Sequence, residues 1–279
     1  MIKTKILIGM TVLPKTWALT KEARDSNLIN CIEVVPDAFI NSWKGSEDLE
    51  RVIDFFDLPY SFHFTSHSLC STEFKQDEKL KKTHSFLSKF NPILVSDHLS
   101  CSRIGQIDLE SNIGTVYNNE SIQNTVKNID YFLKSTNTDP NKFLVEHIPS
   151  YYLFKDSDHA PEEFLVEVAK KSNCHILLDL HNLYVDEINR KTNAEEVIKR
   201  IPKDSVKEIH LAGGSWYNGA YLDSHDHDLS KRVLELLEIS LERFTPVLVN
   251  IEREARFTKL EKVLKDLEKI KNICQKKST

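Results

Sequence analysis

The chain of 279 residues has only seven glycines, five cysteines and no long apolar run, and each shortage excludes something. With so little glycine there is neither a GxGxxG nor a Walker A pattern, which removes the usual phosphate-cradling loops of nucleotide-binding sheets. Cys31, Cys70, Cys101, Cys174 and Cys274 are odd in number, widely spaced and never arranged as CxxC. Neither a disulfide framework nor a thiolate zinc knuckle is expected from them, and a reducing compartment is. No segment approaches the length needed to cross a bilayer, and the apolar run in MIKTKILIGMTVLPK is too short for a signal peptide. Outside the terminal KNICQKKST there is no basic run, and the formal net charge is -5, so the electrostatic footprint of a nucleic-acid binder is missing. These absences predict a cytoplasmic protein with no nucleic-acid and no membrane partner.

What is present is alternation. Hydrophobic residues make up 40% and charged residues 28%, an ordinary globular composition, with no internal repeat or linker. Eight short apolar, β-branched runs read as strands: 5–10, 31–35, 60–64, 92–96, 142–146, 175–180, 206–211 and 246–252. Amphipathic helical stretches lie between them, among them 46–56 with Ser46 as an N-cap, 124–135, 161–172 with Pro161 in the first turn, 228–244 and 259–273. Strands alternating with helices predict a parallel sheet with crossover helices. Eight such units predict an α/β fold of one domain over residues 1–279, a single (β/α)8 TIM barrel. An open doubly wound sheet is the alternative, without a glycine-rich loop to support it.

In such a barrel, chemistry gathers at the C-terminal strand ends and the loops that follow. The predicted strand ends carry His63, then Asp97 and His98, Glu146, Asp179, His210 and Glu252, while YLDSHDHDLS after the seventh strand adds Asp223 and His225. One such residue is more often a hydrogen-bonded structural group than a ligand. Six of eight strands ending this way point to metal, because buried carboxylates need compensating charge. Imidazole and carboxylate donors without a placed thiolate suit iron, manganese or zinc, and calcium or magnesium would want fewer histidines. Four histidines (His63, His98, His210, His225) and four carboxylates (Glu146, Asp179, Asp223, Glu252) exceed the needs of one ion, so two or three are expected. His67, His84, His159 and His175 read as surface or ordinary polar positions, and Cys70 and Cys101 as packing residues. Trp216 and Tyr217 suit loop packing and a substrate groove about equally. Asp228 reads as the N-cap of the next helix, with Asp226 and His227 left open.

The ordered motifs SFHFTSHSL, VSDHLS, FLVEH, LLDLHNLYV, EIHLAGG, LDSHDH and VLVNIE together resemble the multinuclear non-haem iron-dependent oxidative enzymes (MNIO), whose barrel is xylose-isomerase-like. The resemblance runs from the third strand to the eighth. It implies that His63, His98, Glu146, Asp179, His210, Asp223, His225 and Glu252 are metal ligands, that Asn182 lies at the same cluster, and that Glu146, Asp179 and His210 are catalytic. It further implies two or three iron ions (Fe2+/Fe3+) with O2 as co-substrate. The expected reaction is oxidation of a residue, cysteine first, in a ribosomally made precursor peptide, a partner protein presenting the leader. His147 stands where asparagine is common in that family, His181–Asn182 replaces a pair of asparagines, and Ala38 replaces a polar residue. The alternative is a zinc-dependent hydrolase, an endonuclease IV-like phosphodiesterase on the same barrel. A sugar-isomerase-like barrel turned binding protein is a third, non-enzymatic possibility.

Overall fold

The computed structural model describes residues 5–40, 42, 44–74, 77–104, 107–254 and 259–278; residues 1–4 of the N-terminal segment and Thr279 of the basic tail lie outside them. In chain order the first elements are β1 (Leu7–Val12), α1 (Trp17–Asp25), β2 (Cys31–Val34), α2 (Asp37–Ile40), α3 (Gly45–Phe56), β3 (Tyr60–Phe64), α4 (Asp77–Phe90) and β4 (Val95–His98). Next come β5 (Cys101–Ile104), β6 (Ile107–Ile113), α5 (Asn119–Thr136), β7 (Phe143–Glu146), α6 (Pro161–Ser172), β8 (His175–Asp179) and α7 (Leu180–Arg190). The chain ends with α8 (Ala194–Arg200), β9 (Val206–Leu211), β10 (Ser215–Tyr217), β11 (Ala220–Leu222), α9 (Lys231–Arg243), β12 (Leu248–Ile251) and α10 (Leu260–Ser278).

The eight expected strands are all present: β3 and β9 match, β1 and β4 lie two to three residues later than expected, and the other four are shorter. Their hydrogen-bonded order, β1-β12-β9-β8-β7-β4-β3-β2, is that of a closed barrel, the (β/α)8 fold expected from the alternation. Two antiparallel hairpins, β5–β6 and β10–β11, stand outside that order and were not expected. By contacts the chain divides into two compact units, Met1–Val34 with Leu177–Thr279, and Val35–Ile176.

In the first unit β1 pairs in parallel with β2 and with β12, and β12 with β9. Strands buried on both faces read as nearly continuous apolar runs. Polar residues among them are therefore informative: Thr11, Glu33, Glu208, His210 and Asn250 are all buried. Glu208 and His210, two residues apart on one strand, share a face. Val233, Leu236 and Leu237 of α9 and Val263, Leu267 and Ile270 of α10 are fully buried at helical spacing. Each such side chain contributes about 1.5–3 kcal/mol.

In the second unit β3 pairs in parallel with β4, and β4 with β7. Its core is aromatic: Phe62, Phe64, Phe132, Phe143 and Phe164 are buried, and the Phe132 and Phe143 rings lie 4.9 Å apart. Asn118 caps α5 by accepting from the Ser121 N–H at 2.9 Å, and Pro161 opens α6 as expected.

Two expected caps are corrected. Ser46 lies inside α3, which starts at Gly45 behind Lys44, and its hydroxyl accepts from Lys89 Nζ at 3.0 Å. Asp228 does not cap α9; Ser230 does, accepting from Val233 N at 3.1 Å, because the helix starts only at Lys231, and the Asp228 carboxylate accepts from Lys262 Nζ at 2.6 Å instead. Among the described residues no helix is long and apolar enough to cross a membrane.

Candidate metal centres

The second unit brings together three expected donors from the ends of three adjacent strands. His63 is the penultimate residue of β3, His98 closes β4 and Glu146 closes β7, and one donor atom from each lies within 4.8 Å of the others. Glu146 Oε2 is 3.6 Å from His63 Nε2 and 3.4 Å from His98 Nε2. The two imidazole rings stand edge to face at 4.8 Å. His63 Nδ1 is hydrogen-bonded to Ser96 Oγ at 2.8 Å and His98 Nδ1 accepts from Asn112 Nδ2 at 3.2 Å, so both histidines turn Nε2 towards the carboxylate. A partner on the far nitrogen is what orients a metal-binding imidazole. The backbone of β4 is tied in as well: Leu99 N donates to Glu146 O at 2.7 Å, and His98 N to Asp97 Oδ1 at 2.7 Å.

His67 is a correction. It is fully buried, with Nδ1 2.6 Å from Asp97 Oδ2 and Nε2 3.0 Å from Thr83 Oγ1. It anchors the Asp97 carboxylate that holds the His98 backbone.

The first unit gathers the other five. Asp179, His225 and Glu252 each offer an atom within 4.8 Å of the others. His210 Nδ1 lies 3.2 Å from Glu252 Oε2, and His225 Nε2 lies 3.8 Å from Glu252 Oε2 and 2.7 Å from Asp223 Oδ1. Asp179 closes β8 and caps α7, its Oδ1 accepting from His181 N at 2.6 Å and Asn182 N at 2.8 Å. The expected residue Asn182 thus sits in the first turn of α7, buried, one backbone bond from Asp179. His181 is buried beside it with Nε2 3.6 Å from Asp223 Oδ1. Gly214 makes that approach possible: a Cβ there would stand 2.0 Å from Leu222 O and 2.7 Å from His181 Nε2.

Several groups hold the 223–225 loop. His225 takes a left-handed backbone (φ 52), costly for a residue with a Cβ, and Glu254 N donates to its carbonyl at 2.8 Å. Arg253 and Asp266, both buried, pair at 3.2 Å, and the same Asp266 Oδ2 accepts from Leu229 N at 3.0 Å. One carboxylate therefore fastens both the chain after Glu252 and the chain after His225. Asp226 and His227, bonded to each other at 2.7 Å, face solvent. Trp216 and Tyr217 are exposed, and the Trp216 ring lies 5.5 Å from that of buried Tyr221.

Sequence reading passed over two carboxylates here. Glu33 and Glu208 are fully buried, 2.9 Å and 3.6 Å from His210 Nε2. The available signal was a glutamate interrupting an apolar strand, twice. Five carboxylates in one unit repel one another. Burial pushes the Asp179 carboxyl up to about 7, with Asp223 and Glu252 adding to it, and pushes Glu208 up to about 7. Burial works against charge on His210 and His225, yet the surrounding carboxylates outweigh it and hold both imidazoles well above the ordinary range. His181 is pushed down to about 4 by burial. Asp179 Oδ2 is buried without a hydrogen-bond donor among the described residues. An acidic, buried set with an oxygen left over fits a cation. His147, buried beside Glu146, belongs to none of the donor groups found among the described residues.

A family model described as "RiPP precursor modification enzyme MbnB/TglH/ChrH" matches residues 9–275. A UPF0276 protein of Caulobacter vibrioides is 26% identical over 242 residues, covering 86% of this chain and 85% of that one. A UPF0276 protein of Anaeromyxobacter sp. is 30% identical over 196 residues, covering 70% and 68%. Among solved structures, a D-allulose 3-epimerase from Methylomonas sp. superposes with a TM-score of 0.60 at 12% identity, covering 97% of this chain and 98% of that one. Endonuclease IV from Thermus thermophilus gives 0.54 at 15%, covering 97% and 99%. At such identities these structures establish the barrel fold alone.

Proposed function

The chain belongs to the MbnB/TglH/ChrH family of RiPP precursor modification enzymes, and from that premise we propose that it is an iron- and O2-dependent oxidase acting on a residue, cysteine first, of a ribosomally made precursor peptide. The observation that carries the reading is the buried set of histidines and carboxylates in each unit, with Asp179 Oδ2 left without a donor. Imidazole and carboxylate donors suit iron, and burial pushes the Cys70 thiol up, which argues against a thiolate ligand from the chain itself.

His63, His98 and Glu146 hold one ion in this reading. Asp179, His210, Asp223, His225 and Glu252, with Asn182 beside them, hold one or two more. Iron bound there supplies the redox chemistry by which electrons leave the peptide and reduce O2. The protein's part is to fix donors and limit water. Ser96 and Asn112 set the ring planes of His63 and His98, Asp266 fastens the 223–225 loop, and burial keeps Glu146 and Asp179 nearly dry. Trp216 and Tyr217, on the hairpin that leads into Asp223, offer exposed aromatic faces to the peptide. Glu146, Asp179 and His210 are the catalytic residues of the proposal. We further propose that the chain is one barrel domain, works in the cytoplasm and receives the leader from a small partner protein.

The test is O2 uptake and peptide mass. Protein purified without oxygen is mixed with cysteine-containing precursor peptides encoded near its own gene, and the partner encoded there. Iron-dependent O2 consumption with a mass change at cysteine is expected. Full zinc occupancy with no peptide oxidation, and cleavage of an abasic duplex, would replace this reading with the zinc phosphodiesterase.

A further inference from the structure

The buried carboxylate Glu33 lies within reach of His210, and two roles are open to it: a further metal ligand, grouped with His210 and Glu252, or a partner that sets the ring. The hydrogen bonds decide between them. The β1–β2 register places Thr11 beside Glu33, and the β12–β9 register places Asn250 beside His210. Glu33 Oε1 accepts from Thr11 Oγ1 at 2.7 Å and from Asn250 Nδ2 at 2.8 Å, and Asn250 Nδ2 also donates to Thr11 Oγ1 at 2.9 Å. Room for Asn250 comes from Gly9, where a Cβ would stand 2.8 Å from Asn250 Oδ1. Glu33 Oε2 then meets His210 Nε2 at 2.9 Å. Glu208 Oε1, at 3.6 Å from the same nitrogen, is beyond a hydrogen bond.

Thr11 and Asn250 both donate to Glu33, so the carboxyl group acts as an acceptor, and the proton of its bond to His210 is assigned to Nε2. One ring nitrogen cannot both donate to Glu33 and bind a cation. The nitrogen left for a cation is Nδ1, which faces Glu252 Oε2 at 3.2 Å. We infer that Glu33 is a positioning residue, not a ligand: it fixes the Nε2–H form of His210 and its ring plane, so that His210 meets metal through Nδ1. In the second unit the ring of His63 is turned the other way, with Nδ1 hydrogen-bonded to Ser96 Oγ and Nε2 facing the Glu146 carboxylate. The inference rests on the metal-binding reading but on neither iron nor peptide oxidation.

The experiment uses the full chain, labelled with 15N-histidine and loaded with zinc(II) as a diamagnetic probe. Long-range 1H–15N correlations distinguish the two ring nitrogens, and His210 is assigned from the spectrum of His210→Gln. Expected is a protonated Nε2 and a metal-shifted Nδ1 for His210. In Glu33→Gln, zinc is expected to bind about 10–100-fold more weakly, the usual effect of losing such a partner, with faster solvent exchange of the Nε2 proton. Nε2 bound to zinc with Nδ1 protonated would overturn the inference, as would Glu33→Gln leaving both the tautomer and the affinity unchanged. Should Glu33→Gln fail to fold, the wild-type spectrum alone decides. A protein that takes up neither zinc nor iron overturns the metal reading and this inference with it; zinc held through Nε2 overturns this inference alone.

Discussion

The two units build their donor sets in different ways. The second unit uses two histidines and one carboxylate, each at a strand end, and steadies them with neutral partners, Ser96 and Asn112. The first unit sets five carboxylates among three histidines, most of them excluded from water. The lesson is electrostatic. The second set buries one carboxylate between two imidazoles, whereas the first buries several carboxylates together and must take up protons or cations to remain buried.

The largest effect expected from breaking this contrast comes from Asp266→Ala. That change strands the buried Arg253 guanidinium and frees Leu229 N, so a loss of about 3–5 kcal/mol in denaturant unfolding is expected. Metal bound by the first unit should weaken with it, while metal bound by the second should not, as read by titration of each variant.

Much of the barrel and of both donor sets was legible in the sequence. The strands are short runs set off by turn residues, and His63, His98, Glu146, Asp179, His210 and Glu252 stand where those runs end. Glu33 and Glu208 were not legible, because a single glutamate in an apolar strand says nothing about its partner. Thr11 and Asn250 are 22 and 217 residues from Glu33, and only strand register joins them. His67 read as a surface or ordinary polar position because its partner Asp97 lies 30 residues on. Asp228 looked like a cap because the apolar pattern places the helix start near Leu229, whereas α9 begins at Lys231. The hairpin β10–β11 is too short to stand out, with three residues in each strand, and β5–β6 is too polar.

Next in size is pH. Asp179 and Glu208 have folded-state carboxyls pushed up to about 7, above their unfolded values. Their stabilising effect on the metal-free protein is therefore complete below about pH 4 and is lost as pH rises through about 7. His210 and His225, held above the ordinary range, lose their contribution in the same direction at higher pH. Unfolding of the metal-free protein should become easier between about pH 4 and 7. Metal should reverse the trend, binding more tightly as pH rises and releasing protons, which calorimetry in buffers of different ionisation heat would detect.

Ser96→Ala should cost about 1 kcal/mol in stability and loosen the His63 ring, weakening metal in the second unit only. Equal weakening in both units would contradict the contrast. The smallest effect on stability belongs to the exposed Trp216: Trp216→Ala should lie within about 0.5 kcal/mol of the parent yet raise KM for a precursor peptide. An unchanged KM would remove the hairpin from the peptide path.

The most direct measurement is the metal content of protein purified without oxygen, compared with His98→Ala and His225→Ala. Each variant should fold and lose part of the metal, His98→Ala from the second unit's set and His225→Ala from the first unit's. A parent protein without metal, or both variants keeping its full complement, would contradict the assignment of two donor sets.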